Sequence, residues 1–397
     1  MDFKLIGSIL LIVGTSVGAG MLALPIATAK LGFMLSVIML CFCWFLMTAG
    51  ALLLLEANLW LAQNNNLITM AKMTIGPIGQ IIAWVMYLLL LYSLICAYVA
   101  SGSDLFHSFL LDHEFTLPRS LGTIFFALIF GSVVYLGIRS VDYANRGLML
   151  IKFASYFVLL FLLIPFVSAD KLETHNWPNI TSTAALTVTI TSFGFGAIVP
   201  SLRVYFAGNI KKLKKAIIIG SLIPLFCYIA WDAVIMGVIP LNGDNGLNSF
   251  LRSENSTSDL VNALSTIVLN NQVSLFAKLF TSVCVLTSFL AVSLAMTDFL
   301  ADGFQMEKKG IHNLFIHAAT FTPPVLIVLF FPNAFIKALE YAGIYCIVLQ
   351  ILLPAWMVWY GRYHRHFVHE FKVKGGKVFL AALVLLSLLM IVKSLTG

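Results

Sequence analysis

The sequence predicts an all-α integral membrane protein with eleven transmembrane helices, the first and the sixth of them broken. Three features carry that expectation: an excess of apolar residues, eleven apolar stretches of spanning length, and matching glycine–proline interruptions in two of them. Of 397 residues, 60% are apolar and 10% are charged. Counted with Gly and without Tyr, the apolar share is about 64%, against about 45–50% in soluble domains. Mean hydropathy is +0.97. So few charges cannot cover such a core in water, and disorder is excluded.

A hydrocarbon layer of about 30 Å takes about 20 apolar residues per helix. The stretches 5–30, 33–60, 80–110, 121–139, 143–168, 182–206, 216–240, 276–302, 312–331, 335–360 and 377–395 qualify. The first reads as a span and not as a cleaved leader, although Ala27-Thr28-Ala29 mimics a cleavage site. Residues 1–4 carry no net positive charge, and the apolar run exceeds the roughly 7–15 residues of a leader. With the N-terminus cytoplasmic, 17 Lys and Arg residues fall inside and 7 outside, as the positive-inside rule demands. The C-terminus then lies on the outer side. Topology thus accounts for the net charge of +7, and nucleic-acid binding loses its motive.

The runs Lys211-Lys212-Leu213-Lys214-Lys215 and 362–377 read as cytoplasmic anchors, with anionic headgroup binding the alternative. His364, His366 and His369 lack i, i+4 spacing, so no metal site is expected. All six cysteines (Cys41, Cys43, Cys96, Cys227, Cys284 and Cys346) lie in apolar stretches and read as small hydrophobes. The polar connection 241–275 is an external loop with a short helix around 258–270.

The interruptions are the most informative feature. Span 1 contains Gly14-Thr15-Ser16-Val17-Gly18-Ala19-Gly20 and then Pro25; span 6 contains Ser192-Phe193-Gly194-Phe195-Gly196 and then Pro200. Glycine weakens a helix by about 1 kcal/mol and proline removes a backbone bond. Hydrocarbon satisfies none of the freed groups, so unwound backbone survives only against protein or a polar cavity. Paired interruptions in corresponding positions of two halves point to a transporter site. Close helix packing is the alternative, and Gly14-x3-Gly18 alone fits it; a second copy 176 residues on has no place in that account. Bared N–H groups at the start of a second half-helix suit a carboxylate, and bared carbonyls suit an ammonium. Two facing breaks suit an amino acid.

Val13-Gly14-Thr15-Ser16-Val17-Gly18-Ala19-Gly20-Met21-Leu22-Ala23-Leu24-Pro25 resembles the opening motif of the hydroxy/aromatic amino acid permease family, in particular its tyrosine and tryptophan transporters. Thr191-Ser192-Phe193-Gly194-Phe195 with Pro200-Ser201 resembles the family's sixth-helix motif. Thr287-Ser288-Phe289-Leu290, leading to Asp298-Phe299-Leu300-Ala301-Asp302, resembles its eighth. The resemblance implies a LeuT-like 5+5 inverted-repeat transporter, with one repeat at 1–168, a second at 169–360, and a basic loop with an eleventh helix at 361–397. It implies proton-coupled uptake of aromatic amino acids across a bacterial inner membrane. Relatives often carry His where this chain has Gly196, which would remove that histidine as a proton carrier and leave room in the pocket.

Lys152 lies well inside span 5, and an intramembrane lysine is costly enough to mark function. In related proton-coupled carriers a lysine on helix 5 takes the place of a sodium ion between helices 1 and 8. The resemblance therefore groups Lys152 with Thr287 and Ser288 as the coupling site; a snorkelling anchor is the alternative. A buried ammonium gives up its proton more readily than one in water. Glu56 and Asp298 are expected in water near the cytoplasmic ends, and Asp232 and Glu340 in the outer half, Glu340 lining an external vestibule.

Substrate contacts are expected from Thr15, Ser16, Val17, Gly18, Ala19 and Gly20 at the first break and from Ser192, Phe193, Gly194 and Phe195 at the second. Of Tyr87, Tyr92 and Tyr98 on span 3, Tyr92 lies near mid-span and is the candidate for a hydroxyl reaching the substrate. Ring packing is the alternative for such aromatics. No cofactor, metal or catalytic cluster is expected, and the sequence has no phosphate loop, HExxH or Gly-x-Ser-x-Gly. A channel would want a continuous polar pore. The breaks favour an amino acid transporter, and the resemblance implies import of tyrosine, with tryptophan or a broader set of neutral amino acids as the alternative.

Overall fold

The computed structural model describes residues 3–62, 65–112, 114, 118–173, 177–206, 209–243, 245–331 and 333–396. Among these the chain is helical, with no strand. It opens with α1 (Phe3–Ser16) and α2 (Ala19–Thr28), whose axes meet at 53°. There follow α3 (Phe33–Leu59), α4 (Leu67–Thr74), α5 (Pro77–Asp112), α6 (Arg119–Tyr135), α7 (Ile138–Leu163) and the single turn α8 (Ala169–Leu172). The remainder comprises α9 (Thr183–Ser192), α10 (Val199–Tyr205), α11 (Ile210–Val238), the single turn α12 (Leu247–Phe250), α13 (Ser256–Val268) and α14 (Asn271–Phe304). Last come α15 (Gly310–Phe330), α16 (Ala334–Ile347), α17 (Leu353–Tyr363) and α18 (Gly376–Thr396).

Among the described residues, nine helices are long and apolar enough to cross a bilayer, or ten with α1 and α2 as one span. The 17-residue α6 stands where the fourth span is expected. Local chemistry sets the starts. Asn66, Ser182, Asn209 and Asn270 each accept a bond from a backbone N–H in the first turn of the helix that follows, meeting a donor that would otherwise be orphaned. Gly32 and Gly137, at φ 79° and 95°, make the tight turns from α2 into α3 and from α6 into α7, a left-handed backbone that glycine adopts without strain.

Burial separates centre from rim. In the most apolar window of the α16–α17 span 78% of residues are buried, against 22% in α18 and 28% in α7. The broken spans sit inside: α2 packs on α9, α1 on α11, and α16 on both α5 and α9, while α14 lies along α5 and α7. Gly20 marks the closeness of the two breaks, since a Cβ there would stand 3.0 Å from Ser192 Oγ.

The structure corrects the placement of Glu56. It is not in water: its side chain is 1% exposed, and Arg362, 4% exposed, grips it through two bonds of 2.7 and 2.6 Å. The Val373 N–H donates to the same carboxylate at 2.7 Å. Arg362 is thus a buried partner that ties α17 to α3 and no surface anchor. Asp298 does lie exposed, bridged to Lys308. The helix expected around 258–270 falls at α13, close to that position.

Candidate functional site: two facing helix breaks

At the first break α1 ends at Ser16 and α2 begins at Ala19, leaving Val17 and Gly18 outside both helices. Gly18 is extended, at φ −153° and ψ −152°. At the second, α9 ends at Ser192, a tight 3-10 turn spans Phe195–Ile198, and α10 starts at Val199. The two prolines act differently. Pro200 opens α10, where its missing N–H costs nothing, whereas Pro25 sits inside α2.

One side chain joins the breaks. The hydroxyl of Tyr228, on α11, lies 2.7 Å from the Ser16 carbonyl and 2.7 Å from the Ser192 carbonyl. A phenol has one proton to donate, so two carbonyls at the ends of α1 and α9 converge on a single donor. The Ser16 hydroxyl beside them is buried without a partner. This pair of acceptors with one donor too few is the arrangement an ammonium completes.

Each break is also held from outside. Lys152 on α7 is 1% exposed and donates to the Val17 carbonyl at 2.6 Å. Among the described residues no carboxylate bridges to it. Ser288 on α14 accepts the Ala19 N–H at 3.1 Å and donates to the Cys284 carbonyl. Lys152 and Ser288 therefore fix adjacent groups of the same break from two neighbouring helices. Thr287 does not join them; its hydroxyl turns back on its own helix, 2.9 Å from the Val283 carbonyl. At the second break, Gln350 of the α16–α17 span accepts the Gly196 N–H at 2.8 Å.

Phe193 and Phe195 are fully buried at the second break, Phe193 edge-on to Tyr228 at 5.1 Å. Gly18 is pressed against α14, for a Cβ there would lie 2.3 Å from Ser288 Oγ. Two expected contacts lie elsewhere. Thr15 is exposed and bonds back to the Leu11 carbonyl; one step along a helix turns a side chain by about 100°, and Ser16 takes the inner position. Tyr92 donates to the Ala319 carbonyl at 2.8 Å, away from the breaks. Tyr98, six residues on, is the buried span 3 tyrosine near Ser288. Nor does Gly196 leave empty room, because a Cβ there would stand 2.6 Å from Gln350 Oε1. Tyr228 and Gln350 escaped the sequence reading.

A cavity of about 350 Å³ opens beside α10 at the bundle end that carries the N-terminus, lined by Tyr87, Ala197, Pro200, Ser201, Phe299 and Asp302. It lies within the size range of small-molecule sites. Tyr87 and Phe299 meet edge-on at 5.2 Å in its wall. At the opposite end α13 is fastened over α5: Asp104 accepts the Ser258 N–H at 2.9 Å and the Ser258 hydroxyl at 2.6 Å.

Two central broken helices wrapped by intact spans define a LeuT-like fold of the membrane-transporter class. The fold is shared with the crystal structure of the Eremococcus coleocola manganese transporter, at a TM-score of 0.64 and 16% identity over 99% of this chain and 87% of that one. The protein belongs to the tryptophan/tyrosine permease family, which it matches over residues 1–394. It is 33% identical to the tyrosine-specific transport system 1 of Haemophilus influenzae, over 97% of this chain and 95% of that protein. It is 31% identical to the tryptophan-specific transport protein of Shigella flexneri, over 96% and 92% respectively.

Proposed function

We propose that the protein is a proton-coupled symporter that imports aromatic amino acids, tyrosine foremost, by alternating access. The observation that carries this is the convergence of the Ser16 and Ser192 carbonyls on one hydroxyl. The substrate ammonium enters between those carbonyls, and its carboxylate faces the start of α2 at Gly18, Ala19 and Gly20. The ring lies against Phe193, Gly194 and Phe195. The tyrosine- and tryptophan-specific relatives support an aromatic substrate.

Lys152 is the coupling group. Protonated, it donates a charge-assisted bond to the Val17 carbonyl and holds α1 against α7; deprotonated, it keeps N–H donors but loses the charge that strengthens that bond, and α1 is held less tightly. Ser288 keeps the next peptide group in register. In this reading 1–168 and 169–360 are the inverted repeats, 361–397 adds the basic loop and last helix, and the termini are cytoplasmic and periplasmic in a bacterial inner membrane. The cavity beside α10 is then the cytoplasmic exit.

The test is uptake of labelled tyrosine by proteoliposomes across a pH gradient, with each of the twenty amino acids as competitor. Saturable uptake that collapses with the gradient and is displaced by aromatic amino acids is expected. Linear flux would argue for a channel, and stronger displacement by tryptophan would make it the preferred substrate.

A further inference from the structure

Gln350 stands in the one stretch of the α16–α17 span that departs from α-helical winding, the π-turn Val348–Leu352. The cause is in the sequence. Pro354 has no N–H to return to the Gln350 carbonyl four residues back, and that carbonyl packs on Gly50 of α3, where a Cβ would lie 1.8 Å from it. Such bulges re-aim side chains and recur at functional sites. Here the bulge turns a 3%-exposed amide onto the second break.

The two ends of that amide are unequally committed. Oε1 accepts the Gly196 N–H at 2.8 Å, whereas among the described residues Nε2 has only the Gly194 carbonyl at 3.4 Å and the Cys346 sulfur at 3.7 Å. The Phe193 and Phe195 rings beside it are apolar, so the amide is the group of both hydrogen-bonding senses next to the proposed ring position. An amide donates through its nitrogen and accepts through its oxygen.

We propose that the Gln350 amide is the specificity-determining group of the aromatic pocket, donating to the phenolic oxygen of tyrosine or accepting from the indole N–H of tryptophan. The proposal rests on the transport function above and deepens it. A pocket built to bond a ring-borne polar group rejects the analogue that lacks it, because the buried partner is left unpaired. Phenylalanine is that analogue.

The experiment compares kcat/KM for tyrosine, tryptophan and phenylalanine in proteoliposomes of the wild type and of Gln350→Met, an unbranched side chain of similar length. The variant is expected to lose at least about tenfold for tyrosine and tryptophan and to change less than about twofold for phenylalanine. An equal fall for all three, or an unchanged preference, overturns the proposal. So does a wild type that separates tyrosine from phenylalanine by less than about twofold while transporting both, a result that leaves the transport function standing. A wild type that accumulates none of the three removes the transport function, and this proposal with it. Should Gln350→Met fail to assemble, Gly196→Ala, whose Cβ crowds Oε1, is expected to give the same selective loss, and an unselective one overturns the proposal.

Discussion

The two breaks are alike in sequence and unlike in support. The first bends its span by 53° and is held by an ammonium and a hydroxyl, Lys152 on Val17 and Ser288 on Ala19. The second is a tight turn inside the span Thr183–Tyr205, held by a neutral amide and flanked by two buried rings. Among the described residues, the first break is tied to an ionisable side chain, and the second is flanked by the buried Phe193 and Phe195 rings. On the proposed function, the difference separates two tasks: coupling to protons at the first break, and choice of substrate at the second.

Substitutions break or sharpen that division. The largest effect is expected from Lys152→Ala, which should abolish accumulation driven by a pH gradient yet leave exchange of internal for external tyrosine. Normal accumulation in that variant would move coupling away from the first break. Gly194→Leu should abolish tyrosine binding in an equilibrium assay. Even a Cβ at 194 would stand 3.0 Å from the Thr191 carbonyl, and the longer chain fills the ring position; unchanged affinity would make the second break mere packing.

Tyr228→Phe leaves the Ser16 and Ser192 carbonyls without their shared donor. The empty protein should lose about 1–3 kcal/mol, read as a fall in Tm, and saturating substrate should raise Tm more than in the wild type. An equal rise would mean that the ammonium does not use those carbonyls. The smallest effects belong to Thr15→Ala and Tyr92→Phe, whose hydroxyls bond away from the breaks. Both should change tyrosine affinity by less than about twofold, since substitutions away from the site cost within about 0.5 kcal/mol.

Most spans, both breaks and the helix of the 241–275 connection were legible in the sequence because each is local: an apolar run, a glycine pair, a polar loop with an amphipathic stretch. What sequence could not deliver was which side chains meet across the bundle. Glu56 and Arg362 pair across 306 residues, and Tyr228 reaches Ser16 across 212; nothing near any of them signals the partner. Thr15 and Ser16 are neighbours of similar chemistry, and only the orientation of α1 decides which faces inward. Gln350 carried a readable hint, a buried-span amide four residues before a proline, and the vacancy at Gly196 was in truth its seat.

The most direct measurement is competition for labelled tyrosine on the purified protein by tyrosine methyl ester and by N-acetyltyrosine. If bared carbonyls and N–H groups of two adjoining breaks clasp both ends of a zwitterion, each analogue loses a charge-assisted set of bonds and should compete at least about tenfold more weakly than tyrosine. Competition by either analogue at the strength of tyrosine itself would contradict the account.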